Sequence, residues 1–212
     1  MELSIIQKIV IYALPVIFAI TVHEAAHGYA AKYFGDMTAF NAGRISLNPM
    51  RHIDPFGTLI LPALTIMLGG ILFGWAKPVP VDFSRLRNPK KDMLWVAAAG
   101  PASNFLMAIF WALVIKYVQA APNSMVYPLA LMAKAGVSIN IVLMVLNLLP
   151  LPPLDGGRIA ISLLPQQQAR QFAQIERYGF FILMALLFTG ILNIILNPFI
   201  NGVYQLIFSL IS

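Results

Sequence analysis

Several long apolar stretches constrain this chain more than any other feature, because each could cross a lipid bilayer as a helix. One crossing needs about 20 apolar residues. Of the 212 residues, 59% are hydrophobic and only 10% are charged, which excludes an ordinary soluble domain. We therefore predict an all-α polytopic membrane protein with about five or six transmembrane segments. The stretches are Leu3–Phe34, Phe56–Trp75, Met93–Val118, Tyr127–Leu149, Tyr178–Leu196 and the shorter Pro198–Ile211.

The chain has room for a single domain. We expect one membrane-embedded domain over residues 1–212, with a core at about residues 3–158 and C-terminal helices at 159–212. The N-terminus lacks the pattern of a cleaved signal peptide, so we expect the first stretch to remain in the mature chain. The net charge of +6 fits Lys and Arg retained on the cytoplasmic side of a membrane. We therefore expect the lipid bilayer, and no nucleic acid, as a partner.

Two segments between the apolar stretches have the composition of extended chain. Ala42–Pro49 contains a short alternating run followed by a turn signal, which predicts a small strand and loop. Ala76–Val81 carries prolines at positions 78 and 80, and proline confines a strand to the edge of a sheet. The sequence therefore predicts a short β-hairpin or edge strand beside the helices.

Two histidines and a glutamate interrupt the first apolar stretch as His23-Glu24-Ala25-Ala26-His27. Positions four apart lie on one face of a helix, so both imidazoles can bind one zinc ion while Glu24 lies beside it as a base for water. Ionisable groups are costly at membrane depth and usually serve function there. The chain has no cysteine, so any further zinc ligand must be His, Asp or Glu.

A catalytic zinc site usually has three protein ligands, and Asp155 is the main candidate for the third. It is the only acid in a run of prolines and leucines that directly follows an apolar stretch. Irregular backbone at membrane depth is tolerated only where protein or a water-filled cavity surrounds it. The alternative is a plain helix-ending turn at Asp155, and His52 and Asp54 are the reserve ligands.

The distribution of charge predicts how the chain crosses the membrane. If the basic loop Lys77–Lys91 is cytoplasmic, the uncharged linker Gln119–Val126 is outside and Asp155 comes to lie near the cytoplasmic face. His23 lies about 30 Å along the first helix and reaches the same depth. This pairing requires Phe56–Trp75 to return to the side it came from, as a re-entrant segment.

Three motifs in order resemble the site-2 proteases, zinc metalloproteases that cut peptide bonds within or next to the membrane. They are His23–His27 in an apolar helix, Gly100-Pro101-Ala102-Ser103-Asn104, and the run Asn147–Gly156, which fits the family pattern Asn-x-x-Pro-x-Pro-x-Leu-Asp-Gly. Gly43–Pro49 and Gly74–Val81 are similar to segments of the compact bacterial and archaeal members, which lack a PDZ-like or CBS-like module.

The resemblance implies a function and a set of site residues. One zinc ion per chain would be held by His23, His27 and Asp155, with Glu24 as the base. In regulated intramembrane proteolysis, a transmembrane protein substrate would unwind and pair with an extended segment of the protease. The candidates for that segment are Gly74, Trp75, Ala76, Lys77 and Pro78. The expected location is a prokaryotic plasma membrane, with the site towards the cytoplasm. Substrate selection and oligomeric state stay open.

Asn140 and Asn147 are seven residues apart and so lie on one helix face. One of them could bind the substrate backbone or the oxyanion, and the alternative is hydrogen bonding between helices. We interpret Gly100, Pro101 and Asn104 as packing residues.

Two other functions are compatible with these features. A proline-broken helix with buried ionisable groups also occurs in transporters and channels, although no inverted repeat is visible here. The third possibility is a catalytically silent membrane interaction protein that contains zinc.

Overall fold

Helices make up almost all the regular structure of this protein. The computed structural model describes residues 5–60, 77–119 and 126–211. In chain order its helices are α1 (Ile5–Tyr33), α2 (Thr38–Asn41), α3 (Pro89–Gln119), α4 (Tyr127–Asn147), α5 (Asp155–Leu163), α6 (Gln166–Ala173), α7 (Glu176–Phe188) and α8 (Ile191–Ile211). Short 3-10 turns lie at Pro49–Arg51 and Phe83–Arg85, and a π-helical segment at Pro55–Ile60.

Four of the described helices are long and apolar enough to cross a membrane. They are Ile11–Tyr33 within α1, Pro89–Val118 within α3, all of α4 and all of α8. The predicted all-helical class is therefore confirmed for the described residues, and the four candidate spans agree with a polytopic membrane protein. The count of five or six segments stays a prediction. The re-entrant prediction for Phe56–Trp75 falls mostly on residues 61–76, which lie outside the described residues, as does most of the linker 119–126.

The α3 and α4 helices pack closely because Gly136 of α4 lies against the indole of Trp111. A Cβ atom at Gly136 would come within 2.4 Å of that ring, so any side chain there would push the two helices apart. Val137 and Ile141 of α4 and Ala108 and Ala112 of α3 are almost completely buried in the same core. This packing holds α3 and α4 beside α1, and these three helices carry most of the site described below.

The predicted β-hairpin and edge strand are wrong, since the described part of the chain contains no strand. Residues 42–49 form a turn after α2 and a loop that leads into a 3-10 turn. Residues 77–82 have no regular structure. Along their length they form hydrogen bonds with side chains and loop carbonyl groups. Pro78 and Pro80 have no N–H group, so this segment lacks the donors that a strand ladder needs.

The C-terminal helices begin and end at other residues than the sequence predicts. The break falls at Gly190, which has φ +75°, a left-handed conformation that glycine adopts readily and that ends helices. Pro198, taken as the start of a separate short segment, lies inside α8. A membrane helix tolerates an internal proline when neighbouring groups form hydrogen bonds with the freed carbonyl. Glycine is therefore the better marker of the boundary between α7 and α8.

Candidate active site

His23 and His27 lie one turn apart on α1 and face the start of α5. Their Nε2 atoms are 3.1 Å apart, and Asp155 Oδ2 lies 3.2 Å from the first and 3.3 Å from the second. The three side chains are only 9%, 12% and 13% exposed. The structure thus brings together the two histidines of the motif and the acid that the sequence singles out.

The arrangement of these three atoms fits a zinc ion. Ligand atoms about 2.0–2.2 Å from a tetrahedral zinc are about 3.3–3.5 Å apart, close to the three separations observed. Asp155 Oδ2 is buried and has no hydrogen-bond partner in the described part of the chain. Burying an unpaired carboxylate oxygen against two imidazole nitrogens is costly. A cation among the three atoms would remove that cost, and two His nitrogens with one carboxylate oxygen are ligands that zinc accepts.

Hydrogen bonds on the far side of each ring decide which nitrogen is free for the metal. His23 Nδ1 lies 2.6 Å from Asn104 Oδ1, and His27 Nδ1 lies 2.7 Å from the carbonyl oxygen of Val96. Both partners are acceptors, so each Nδ1 carries the proton and donates it. The lone pair of each Nε2 then points towards Asp155, as in metal-binding histidines generally.

Asn104 belongs to a buried chain of amides that fixes His23. Its Nδ2 donates to Asn140 Oδ1 at 2.9 Å, and Asn140 Nδ2 donates to the carbonyl oxygen of Gly136 at 2.8 Å. Both amide side chains are completely buried. The sequence interpretation of Asn104 as a packing residue missed its contact with His23. Its position four residues after Gly100, on the same face of an apolar helix, marks Asn104 as a polar side chain that needs a partner, but it does not identify His23 as that partner.

Gly100 allows both imidazoles to lie against α3. A Cβ atom there would be 2.4 Å from His27 Nε2 and 2.6 Å from His23 Cε1. These separations are far below any contact that real side chains make, and each ring is held on its other side by the hydrogen bonds described above. Position 100 therefore has to be glycine for the two rings to keep this arrangement.

Glycines also determine where Asp155 lies. A Cβ atom at Gly156 would be 2.3 Å from the carbonyl oxygen of Leu148, and one at Gly157 would be 2.3 Å from the nitrogen of Pro152. The chain between α4 and α5 therefore folds back tightly on itself. This loop places Asp155 at the first residue of α5, facing α1.

Glu24 is anchored by the backbone of the segment that follows residue 76. Its Oε2 accepts a hydrogen bond of 2.8 Å from the N–H of Val79. Because residues 78 and 80 are prolines, Val79 supplies the only N–H between Lys77 and Val81. Glu24 lines a cavity of about 620 Å³ together with His23, His27 and Asp155. Its other walls come from α3, α4, α5, α7, the loop before α5 and residues 78–83.

Three further bonds hold the two ends of this segment against residues 36–52. The N–H of Lys77 donates to the carbonyl oxygen of His52 at 2.9 Å, and Arg44 Nη2 donates to the carbonyl oxygen of Lys77 at 3.0 Å. At the other end, the N–H of Asp82 donates to the fully buried Asp36 at 2.8 Å. The segment is thus fixed at three points beside the cavity.

The reserve ligands lie away from the three-residue cluster. The His52 side chain is buried, and its Nε2 lies 2.8 Å from the carbonyl oxygen of Ser46. Asp54 Oδ1 accepts a hydrogen bond of 2.6 Å from the N–H of Gly57. Neither belongs to the group of residues that could hold a metal ion within the described ranges.

The predicted substrate-contacting residues divide into four groups. Asn147 and Pro78 line the cavity, and Asn147 Nδ2 donates to the carbonyl oxygen of Leu143 at 3.0 Å. Asn140 is buried in the amide chain behind His23 instead. Lys77 is exposed next to Pro78. The predictions for residues 74–76 fall outside the described residues.

Comparison with known proteins agrees with this geometry. Residues 115–190 match the sequence profile described as Peptidase family M50. A Bacillus subtilis (strain 168) protein named "Putative zinc metalloprotease YwhC" is 37% identical over 203 residues, which cover 94% of this chain and 90% of the relative. A Mycolicibacterium smegmatis protein named "Putative zinc metalloprotease Rip2" is 33% identical over 183 residues, which cover 84% of this chain and 66% of the relative. No solved structure matches.

Proposed function

Because this chain belongs to peptidase family M50, the site-2 proteases, and is an intramembrane zinc metalloprotease, we propose that His23, His27 and Asp155 bind its zinc and that Glu24 is its catalytic base. One observation carries this assignment. Three atoms that can bind a metal ion, from two distant parts of the chain, lie within 3.3 Å of one another. The protonated nitrogen of each imidazole is turned away from them.

When bound, zinc supplies Lewis-acid chemistry that polarises a carbonyl group and makes water a better nucleophile at neutral pH. The protein's part in the reaction is to place and protonate the reacting groups. Glu24 takes a proton from the water that attacks the scissile carbonyl carbon and transfers it to the amine nitrogen as the C–N bond breaks. The hydrogen bond from Val79 restricts the Glu24 carboxylate to one orientation, which favours this transfer.

Ligand substitution tests the zinc assignment. His23→Ala, His27→Ala and Asp155→Ala should each purify with less than a tenth of the zinc that the wild type holds, because two remaining ligands bind weakly. His52→Gln is the matched control, since the third histidine of the chain lies outside the cluster. Zinc measured by mass spectrometry decides the result. Stoichiometric zinc in any of the three alanine variants would remove that residue from the ligand set.

The cavity beside Glu24 is where we expect an unwound stretch of a membrane protein substrate. A helical substrate has its peptide groups bonded internally, so it has to open before a water can attack one of them. Asn147 and Pro78 line this cavity and Lys77 directly precedes Pro78 in the chain, which supports contact with the opened backbone. Gly74, Trp75 and Ala76 remain proposed contacts on the strength of the family resemblance.

The two asparagines of α4 should respond differently to substitution. We expect Asn147→Ala to raise KM or lower kcat by about tenfold with zinc intact, because it would remove a polar contact to the substrate or oxyanion. Asn140→Ala should instead lower zinc affinity, because it removes support from Asn104 and His23. Steady-state kinetics and zinc titration separate the two effects. Unchanged kinetics in Asn147→Ala would exclude it from substrate binding.

We place the site towards the cytoplasmic side of a cell membrane. Arg87 Nη2 donates to the carbonyl oxygen of Tyr33 at 2.8 Å, so the end of α1 and the basic start of α3 lie on the same side. His52 and Lys77, which flank the predicted re-entrant stretch, are also hydrogen-bonded, as a segment that returns to its starting side requires. Basic residues are retained in the cytoplasm.

Labelling of single cysteines tests this orientation in a chain that contains none. A membrane-impermeant maleimide should label Lys90→Cys only from the cytoplasmic face and Tyr127→Cys only from the opposite face. Inverted and right-side-out vesicles provide the two faces. Labelling of Lys90→Cys from outside the cell would reverse the proposed orientation.

A further inference from the structure

The α8 helix carries an amide side chain at every fourth residue over most of its length. We call this set the amide stripe and define it as Asn193, Asn197, Asn201 and Gln205. Residues four apart lie on the same side of a helix, with a rotation of about 40° at each step. All four side chains are exposed, and none of them has a hydrogen-bond partner in the described part of the chain.

The stripe lies on the least covered of the four candidate membrane spans. Only 11% of the α8 span is buried inside the protein, compared with 39–44% for the spans in α1, α3 and α4. Hydrocarbon offers no hydrogen bonds to an amide, so four amides facing lipid would be costly. In membrane helices such side chains commonly bond to a neighbouring helix. The stripe therefore indicates a partner helix that the described residues of this chain do not supply.

We propose that the amide stripe is the surface through which two copies of this chain associate in the membrane. A primary amide both donates and accepts hydrogen bonds, so the stripe complements an identical stripe across a two-fold axis. The α8 helix contains no charged residue, which gives no preference for a partner of opposite charge. It also contributes no residue to the cavity that contains Glu24, so a substrate bound there has no need to cover the stripe.

The spacing of the stripe also predicts how the two helices cross. A ridge of residues four apart is inclined by about 26° to the helix axis, and packing two such ridges gives a crossing angle of about −40° to −50°. The groove beside the stripe is bordered by Pro198 and Gly202. A Cβ atom at Gly202 would have no neighbour within 4 Å, so a second helix can approach closely there.

Cross-linking in proteoliposomes tests this surface on the full-length chain. With no native cysteine to interfere, Asn201→Cys should form a disulfide-linked dimer under mild oxidation. Phe199→Cys is the matched control, because Phe199 is 62% exposed but faces a different side of α8. We expect at least a tenfold higher dimer yield for Asn201→Cys at a low protein-to-lipid ratio. Equal yields, or no dimer from either variant, would overturn the proposal.

A second experiment measures association without cysteines. The double variant Asn197→Leu/Asn201→Leu should dimerise at least tenfold more weakly than the wild type, as measured by energy transfer between labelled chains during dilution with lipid. Ile195→Leu/Phe199→Leu, on the other side of α8, should dimerise like the wild type. Wild-type zinc content in the double variant excludes misfolding as the cause. Undiminished dimerisation of the double variant would refute the role of the stripe.

The same preparation distinguishes a substrate from a second copy. A single-pass transmembrane peptide with one cysteine is added in excess to the Asn201→Cys protein before oxidation. Enzyme dimers that persist in the presence of the peptide support the proposal. Efficient cross-linking to the peptide with no enzyme dimer would assign the stripe to substrate docking and overturn it.

Discussion

Glu24→Gln is expected to abolish peptide cleavage while leaving zinc at the wild-type level. The glutamine amide keeps the shape of the side chain but cannot accept a proton from water. General base catalysis contributes about 10²–10⁴-fold, and the loss of kcat should be of that size or larger. Cleavage of a fluorogenic single-pass transmembrane peptide in detergent measures the rate, and mass spectrometry of the purified protein measures the metal.

The matched control for this variant is Glu176→Gln. It makes the same chemical change at an exposed glutamate that pairs with Arg158 at 3.2 Å, and it should retain most of the activity. Glu24→Gln should also preserve the contact with Val79, because the carbonyl oxygen of the glutamine can still accept the hydrogen bond from the Val79 N–H. The segment beside the cavity should therefore keep its position. Cleavage at the wild-type rate by Glu24→Gln would eliminate Glu24 as the base.

The membrane class and the main site residues could be predicted because both depend on local patterns. Apolar length predicts spanning helices, and the spacing of His23 and His27 places both rings on one face of α1. Asp155 is distant in sequence, but the pattern singles it out because no other acid lies in a run of prolines and leucines. The geometry of the three residues agrees with that reasoning, while their role in binding zinc remains a prediction.

The supporting contacts could not be predicted, because they depend on how distant segments meet. The prolines at positions 78 and 80 predict an edge strand, but a strand needs a partner strand. The described chain provides a glutamate and loop carbonyl groups as hydrogen-bond partners instead. The bond from His23 to Asn104 joins residues 81 positions apart. The sequence shows that an asparagine on an apolar helix needs a hydrogen-bond partner. Only the packing of α1 against α3 shows which side chain that partner is.

Gly100→Ala should disable the site through a single methyl group that touches no substrate. The added carbon would lie 2.4 Å from His27 Nε2 and 2.6 Å from His23 Cε1, so at least one ring has to move by about 1 Å. Moving a ring also breaks or bends its bond to Asn104 or Val96. Disturbing such outer contacts typically costs 10- to 100-fold in metal affinity. We expect a loss of zinc affinity in that range, and a loss of activity at least as large.

The comparison for Gly100→Ala is Ala102→Leu, a larger change two residues later on the exposed side of the same helix. It alters apolar volume in α3 without approaching the imidazoles, so zinc affinity should stay at the wild-type value. Competition with a zinc-binding dye measures both affinities, and circular dichroism shows whether the helices persist. Wild-type zinc affinity in Gly100→Ala would mean that the rings can bind metal from another position. The close packing of α1 on α3 at Gly100 would then not be what places the ligands.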